Sequence, residues 1–246
     1  MRESALPLRA RWSSLGGVKA PEEHDAFWQW YEDVWADRDE VEYPKLFGEI
    51  SEGVFTLDQT DALQAWMESD LAQVSELDPN WGGYGVRVAP PTPEHPSWSY
   101  VTSGLSNPFT LQPGMEFAED GPSGIGYEMV IHTPEEAQWP VLRLLDMMAY
   151  NLVCLRAFAL GHRYPVEGTL DGAAETKLNG VVFVRDPSRP AYFDLPSGRV
   201  QLLTLVGATK NEMAFARSNG VDKLMERLHA AGSGVVTDCT RAEEKL

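Results

Sequence analysis

The 246 residues are 43% hydrophobic and 23% charged, the balance of a folded globular chain and not of a disordered one. The formal net charge of −17 argues against a nucleic-acid binder and against docking on an anionic membrane, because both need basic patches. Two cysteines, Cys154 and Cys239, form neither a disulfide framework nor a zinc site.

Residues 1–20 carry four basic residues and one acid, with small residues and Gly16-Gly17, and read as a loose N-terminal arm. They lack an apolar run of signal-peptide length, and no stretch of about 18 apolar residues follows, so the expected location is the cytoplasm. From Pro21 the pattern changes. Proline and the carboxylates of Glu22, Glu23 and Asp25 suit a first helical turn. Phe27, Trp30, Tyr31 and Val34 then recur at helical spacing, giving a helix over about 22–37. Tyr43 to Gly48 breaks that pattern as a loop, and Gly53 to Leu57 reads as a short strand. A second helix, capped by Asp58 or Thr60, is expected to end near Leu77, with Leu63, Trp66, Met67, Leu71 and Val74 on its buried face. Residues 79–97 hold five prolines and three glycines and read as a long connection.

Strands begin at Trp98. Trp98 to Ser103 is rich in β-formers and ends at Gly104. Residues 106–124 read as a loop. From Ile125 to His132, one face carries Ile125, Tyr127, Met129 and Ile131, and the other carries Gly126, Glu128, Val130 and His132. Thr133-Pro134-Glu135-Glu136 has the spacing of a capping box. Val141 to Leu160 is apolar nearly all round and reads as the buried central helix, with Leu145, Met148, Leu152 and Leu155 inside and Gly161 as its cap. Gly180 to Arg185 and Val200 to Val206 read as inner strands covered on both faces. Thr209-Lys210-Asn211-Glu212 is a second capping box, opening a helix to about Arg217. A last helix runs from Val221 to Ala231, and residues 233–246 read as a frayed tail. The expected organisation is one α+β domain over 21–232, a mixed β-sheet packed against helices.

The residues that could carry chemistry give little. The five histidines have no metal-ligand spacing, no serine sits in a Gly-x-Ser-x-Gly elbow, and no cofactor is implied. The glycines of 121–126 precede a strand, whereas a phosphate loop opens a helix. Glu128 is either part of an exposed polar face or a buried carboxylate needing a partner such as Arg185 or Arg199; a catalytic acid is a third reading, for which spacing places no second carboxylate. The charge is more informative. Residues 21–80 carry 17 acids and two bases. Glu32, Asp33, Asp37, Asp39 and Glu40 are therefore candidate protein-binding residues, attractive to a basic partner; the alternative is a set of solvated helix faces that aid solubility.

Five fragments in order resemble one family. Trp98-x-Tyr100-Val101-Thr102-x-Gly104-Leu105-Ser106 is similar to the opening strand of Suppressor of fused domains. Ser123-Gly124-x-Gly126-Tyr127-Glu128 resembles their second strand, with Met129-Val130 where Leu-Thr is usual. Trp139-Pro140 resembles their helix start. Pro196-x-Gly198-x-Val200 and Leu205-Val206-Gly207-Ala208-Thr209-x-x-Glu212 resemble their closing strand and turn. Tyr43-Pro44-x-Leu46-Phe47-Gly48 also looks like bacterial members. The resemblance implies an α+β domain without enzymatic activity or catalytic residues. It implies a protein partner: animal members grip a peptide as an added strand within a two-domain protein, for which this chain is too short, and bacterial members act largely as immunity proteins that neutralise toxins. The expected function is therefore non-enzymatic binding of a basic toxin. The alternatives are a small-molecule hydrolase or ligand-binding enzyme whose site assembles only in three dimensions, and a scaffold for extended peptides on a free strand edge.

Overall fold

The structure is a computed structural model that describes residues 18–51, 53–108, 111–118 and 120–244. The loose-arm reading of 1–20 lies outside the described residues except at its end. There Val18–Lys19 (β1) pairs with Glu116–Phe117 (β5), and Ala20 is buried.

The helical third differs from expectation. α1 spans His24–Ala36, and the helix does not stop there. A π-helical segment, Asp37–Glu42, leads into α2, Tyr43–Phe47, where a loop was expected. The wider turn lets Arg38 and Asp39, adjacent in sequence, both face inward. Pro44 sits in the first turn of α2, and Gly48 ends the helix at φ +80°. α3 covers only Ala62–Met67 instead of reaching Leu77. The Ser69 hydroxyl donates to Trp66 O and accepts from Leu71 N–H, which closes the helix end. The proline-rich connection hides a strand: after β2 (Phe55–Thr56), β3 runs over Gly85–Ala89.

The main sheet follows the order β2-β3-β4-β6-β10-β8-β7, with β9 on β10. The new members are β4 (Trp98–Ser103), β6 (Pro122–Thr133), β7 (Arg163–Pro165), β8 (Leu178–Val184), β9 (Tyr192–Leu195) and β10 (Gly198–Thr209). β6 and β10 are parallel; the other pairs are antiparallel, so the sheet is mixed. Helices cover both faces. On one face Ile125, Tyr127, Met129 and Ile131 meet α4 (Trp139–Cys154) and α3, in the period-two pattern of the sequence. On the other, Val101, Val130 and Leu202 meet Tyr43, Leu46 and Phe47 of α2. Val182, Val206 and Ala208 meet α5 (Lys210–Asn219) and α6 (Val221–Ala230).

Three local expectations need correction. Thr133 caps no helix, because it is the last residue of β6 and pairs with Trp98 of β4; α4 starts at Trp139 with Pro140 in its first turn. α4 ends at Cys154, not near Gly161. Leu155 is left-handed (φ 48°) and half-buried, because Asn151 donates to Arg156 O (2.7 Å) and draws the chain off the helix axis. The frayed-tail reading fails for 233–244. Thr237 is buried, donates its N–H to His132 O (2.8 Å) and accepts from Gly207 N–H (2.9 Å). The expected capping box at Thr209 and Glu212 is present and opens α5.

Candidate functional site

The five acidic candidates separate. Glu32, Asp33 and Glu40 are exposed and Asp37 is half-buried. Asp39 is not on the surface patch: it is buried at 8% exposure and bonded by Arg38 Nε (2.8 Å), Arg87 Nη2 (2.8 Å) and Ser103 Oγ (3.0 Å). Burial works to raise its pKa, but Arg38 and Arg87 hold it below the ordinary carboxylate range. Among the described residues Glu32, Asp33 and Glu40 form no ion pair, whereas Asp37 feels the charge of the exposed Lys45. Arg38 is the one Lys or Arg between residues 21 and 42, and it is fully buried.

Arg38 supplies the partner that Glu128 needs. Arg185 is exposed and Arg199 pairs with Asp194, so neither expected partner serves. Glu128 is fully buried, with Arg38 Nη1 at 3.8 Å. β4 parts from β6 at Thr102, and the carboxylate fills the gap. Its Oε1 accepts from Gly104 N–H (3.2 Å), Ser106 N–H (2.8 Å) and Ser106 Oγ (2.6 Å); its Oε2 accepts from Thr102 Oγ1 (2.5 Å). Thr102 Oγ1 also accepts from Met129 N–H, and Ser106 Oγ from Arg38 Nη1. With both hydroxyls donating to the carboxylate, four donors converge on it. Burial pushes the Glu128 pKa up, and Arg38 and the donors from Ser106 and Thr102 work against that rise. The network knits turn 103–107 to β6 and the π-helical segment.

A second buried cluster tests the hydrolase reading. Ser99 Oγ lies 2.9 Å from His132 Nδ1, and His132 Nε2 lies 3.5 Å from Asp186 Oδ2. Arg189 lies 3.6 Å from Asp186 and packs its guanidinium over Phe47. The residue types are those of a Ser-His-Asp triad, but the setting is not: Ser99 and His132 are each 2% exposed, and the aspartate contact is too long to orient a base. Burial keeps His132 neutral, with its pKa below the usual value. Among the described residues its Nε2 and Arg189 Nε have no hydrogen-bond partner. The cluster pins the 186–189 loop onto the sheet. Among the described residues no group of three His, Cys, Asp or Glu side chains could hold a metal ion.

The motif positions are structural. Trp98 and Tyr100 lie on β4, and Tyr100 OH accepts from Ala137 N–H (2.7 Å) ahead of Trp139 and Pro140. Gly104, Gly126 and Gly198 have positive φ in the turns and strand ends around Glu128. Gly124 combines φ +56° with a place where a Cβ would sit 2.4 Å from Leu105 O and Asn107 O. At Gly207 a Cβ would meet Thr237, Leu170 and Leu178 within 2.8 Å. Glu212 closes the capping box and binds Arg241 Nη1 (2.7 Å), anchoring the tail.

One groove of about 440 Å³ opens between α2 and β9, with Leu46 and Phe193 inside and Glu42, Lys45, His95 and Asp194 around it. No helix among the described residues is long and apolar enough to cross a membrane.

Comparisons place this geometry. In a crystal structure of a Sufu–Fu complex, one chain matches with a TM-score of 0.55 at 18% identity over 92% of both chains. A Suppressor of fused homolog from Neisseria gonorrhoeae matches with a TM-score of 0.54 at 15% identity, over 88% of this chain and 97% of that one. Drosophila Suppressor of Fused is 21% identical over 59% of this chain, with a TM-score of 0.47, and this chain spans 38% of its length. No curated protein sequence matches. The family model described as Suppressor of fused protein (SUFU) matches residues 82–242, which hold all eleven motif positions, the Glu128 carboxylate and the anchored tail up to Arg241. The chain belongs to the Suppressor of fused family.

Proposed function

We propose that this chain is a non-enzymatic protein-binding domain that neutralises a basic toxin as an immunity protein. The observation that carries the reading is the one-signed surface of α1 and the π-helical segment. Glu32, Asp33 and Glu40 face solvent, while Arg38, the one arginine of this segment, is spent inside on Asp39 and Glu128. Such a surface raises the encounter rate with a cationic partner and leaves binding sensitive to salt. The exposed Trp28 of α1, hydrogen-bonded to His24 (3.1 Å), offers an aromatic anchor among these acids. A protein partner also agrees with the solved complex of a family relative with Fu. The hydrolase alternative has less support, because Ser99, His132 and Asp186 are buried under the 186–189 loop.

The test is co-expression with the polypeptide encoded immediately upstream. The proposal expects that polypeptide to arrest growth alone and to be harmless, and to co-purify, with this chain. An upstream product that is harmless by itself, or that still kills in the presence of the chain, contradicts the immunity role.

A further inference from the structure

We infer that the solvent face of α1 holds a site for one arginine side chain of the partner, its guanidinium stacked on Trp28 beside the carboxylates of Asp25 and Glu32. The inference rests on the reading of α1 as the partner surface and names what is gripped there. Helical rotation places Asp25 and Glu32 on one flank of Trp28, a turn before it and a turn after it. Tyr31 falls on the other flank. Both carboxylates are exposed, and Trp28 is 41% exposed. The indole is nonetheless fixed. Its Nε1–H donates to His24 Nε2 (3.1 Å), Phe27 meets it edge to face at 5.5 Å, and Tyr31 meets it at 5.6 Å and 65°. Tyr31 is held in turn by the Tyr84 hydroxyl at 3.2 Å. An aromatic corner fixed in this way loses little freedom when it binds.

The charges around the corner favour a cation. His24 Nε2 accepts from the indole, which can only donate, so in this bond the imidazole carries its proton on Nδ1 and is uncharged. Lys19 pairs with Glu22. Two further charges act on the Tyr31 hydroxyl. Asp78, half-buried, adds to the negative side, and Arg38 is fully buried and neutralised by Asp39 and Glu128. The chain uses the same contact elsewhere: Arg38, Arg189 and Arg227 stack on Tyr43, Phe47 and Phe215. Among the described residues no Lys or Arg lies over Trp28 or Tyr31. Indole is the strongest aromatic platform for a cation. A guanidinium can lie flat on it and still turn two N–H groups to a flanking carboxylate, which the compact, strongly hydrated ammonium of lysine cannot do. The occupant is therefore an arginine.

The probe is the end-blocked peptide Gly-Arg-Gly, titrated into the isotope-labelled chain and followed by NMR. The Trp28 indole resonance should shift saturably with it, about threefold or more weakly with Gly-Lys-Gly, and not at all with Gly-citrulline-Gly, which keeps the shape and lacks the charge. Trp28→Leu keeps both acids and an apolar surface but removes the ring. It should weaken the arginine peptide, read on the Glu32 amide, about threefold or more, with an unchanged circular dichroism spectrum. If Trp28→Leu unfolds, Asp25→Asn with Glu32→Gln carries the same expectation and leaves the ring in place. In the toxin complex Trp28→Leu should speed dissociation and leave the salt dependence of association to the acids. Failure of the chain to suppress the upstream toxin would remove the immunity reading without changing the peptide titration. The site alone is overturned by an arginine peptide that binds no tighter than the lysine or citrulline peptide, or that binds parent and Trp28→Leu equally. Binding that appears only when Arg2, Arg9 and Arg11 are replaced by glutamine overturns the partner as occupant and gives the site to the chain's own arginines.

Discussion

Replacing Glu128 with glutamine tests the buried network most sharply, because the change is isosteric and removes only charge and one acceptor. The amide oxygen can take the place of Oε1 and accept from Gly104 N–H, Ser106 N–H and Ser106 Oγ. The NH2 group then falls where Oε2 was. It can donate to the second lone pair of Thr102 Oγ1, which also accepts from Met129 N–H, but the Thr102 hydroxyl proton then loses the acceptor it has in Glu128 Oε2. One buried donor goes unsatisfied at a cost of about 1–3 kcal/mol. Arg38, 3.8 Å away, also loses one of its two buried counter-charges but keeps Asp39, so this loss stays below the ~3–5 kcal/mol of a fully broken buried pair. The expected total is about 2–4 kcal/mol. For a chain of this size that lowers the melting temperature by roughly 4–16 °C, at about 2–4 °C per kcal/mol. Urea denaturation followed by tryptophan fluorescence gives the free energy directly, through a lower midpoint at constant slope. A glutamine variant within about 0.5 kcal/mol of the parent would refute the reasoning, because it would mean that the native carboxyl is already neutral.

Other outcomes follow from packing and titration. Leu152→Ala, at 2% exposure in α4, should cost about 2–5 kcal/mol in the same urea assay. Gly124→Ala meets two backbone oxygens at 2.4 Å and needs φ +56°, so circular dichroism should show an unfolded or strongly destabilised chain. Burial works to raise the Glu212 pKa, but Arg241 and the Thr209 and Glu244 N–H groups hold it below its ordinary value. A lowered folded pKa gives stability above the unfolded value that is lost as pH falls, so the 236–244 strap should exchange slowly at pH 7 and loosen below about pH 4.3. Deleting residues 233–246 should therefore destabilise the domain, measured as a lower urea midpoint, where a frayed tail would leave it unchanged.

What the sequence revealed was local. The alternation from Ile125 to His132, the Thr209 and Glu212 capping box and the Trp139-Pro140 helix start each depend on neighbours within a few residues, and each appears in the fold. What it concealed was set at long range. β3 hides among prolines, and its register with β4 fixes it as a strand. Arg38 reads as one base in an acidic helix, and its partners at Ser103, Ser106, Asn107 and Glu128 lie 65 or more residues away. Asp39 reads as one more surface acid for the same reason. Strict helical spacing would have placed it outward, and the π-helical turn carries it in. The tail looked polar and loose because Arg241 and Thr237 find their partners on α5 and β10. The groove at β9 needs α2 and β9 brought together, which no local pattern announces.

The central claim is that a one-signed acidic surface recruits a basic partner. Stopped-flow association with the protein whose toxicity the chain suppresses tests it most directly, at low and high salt. The comparison is the parent against a variant with Glu32, Asp33, Asp37 and Glu40 reversed to lysine, leaving Asp39 in its structural role. The account predicts a parent rate constant that falls steeply with salt and a variant rate that is at least about tenfold slower at low salt and converges with the parent at high salt. Equal rates for the two proteins at low salt would contradict it.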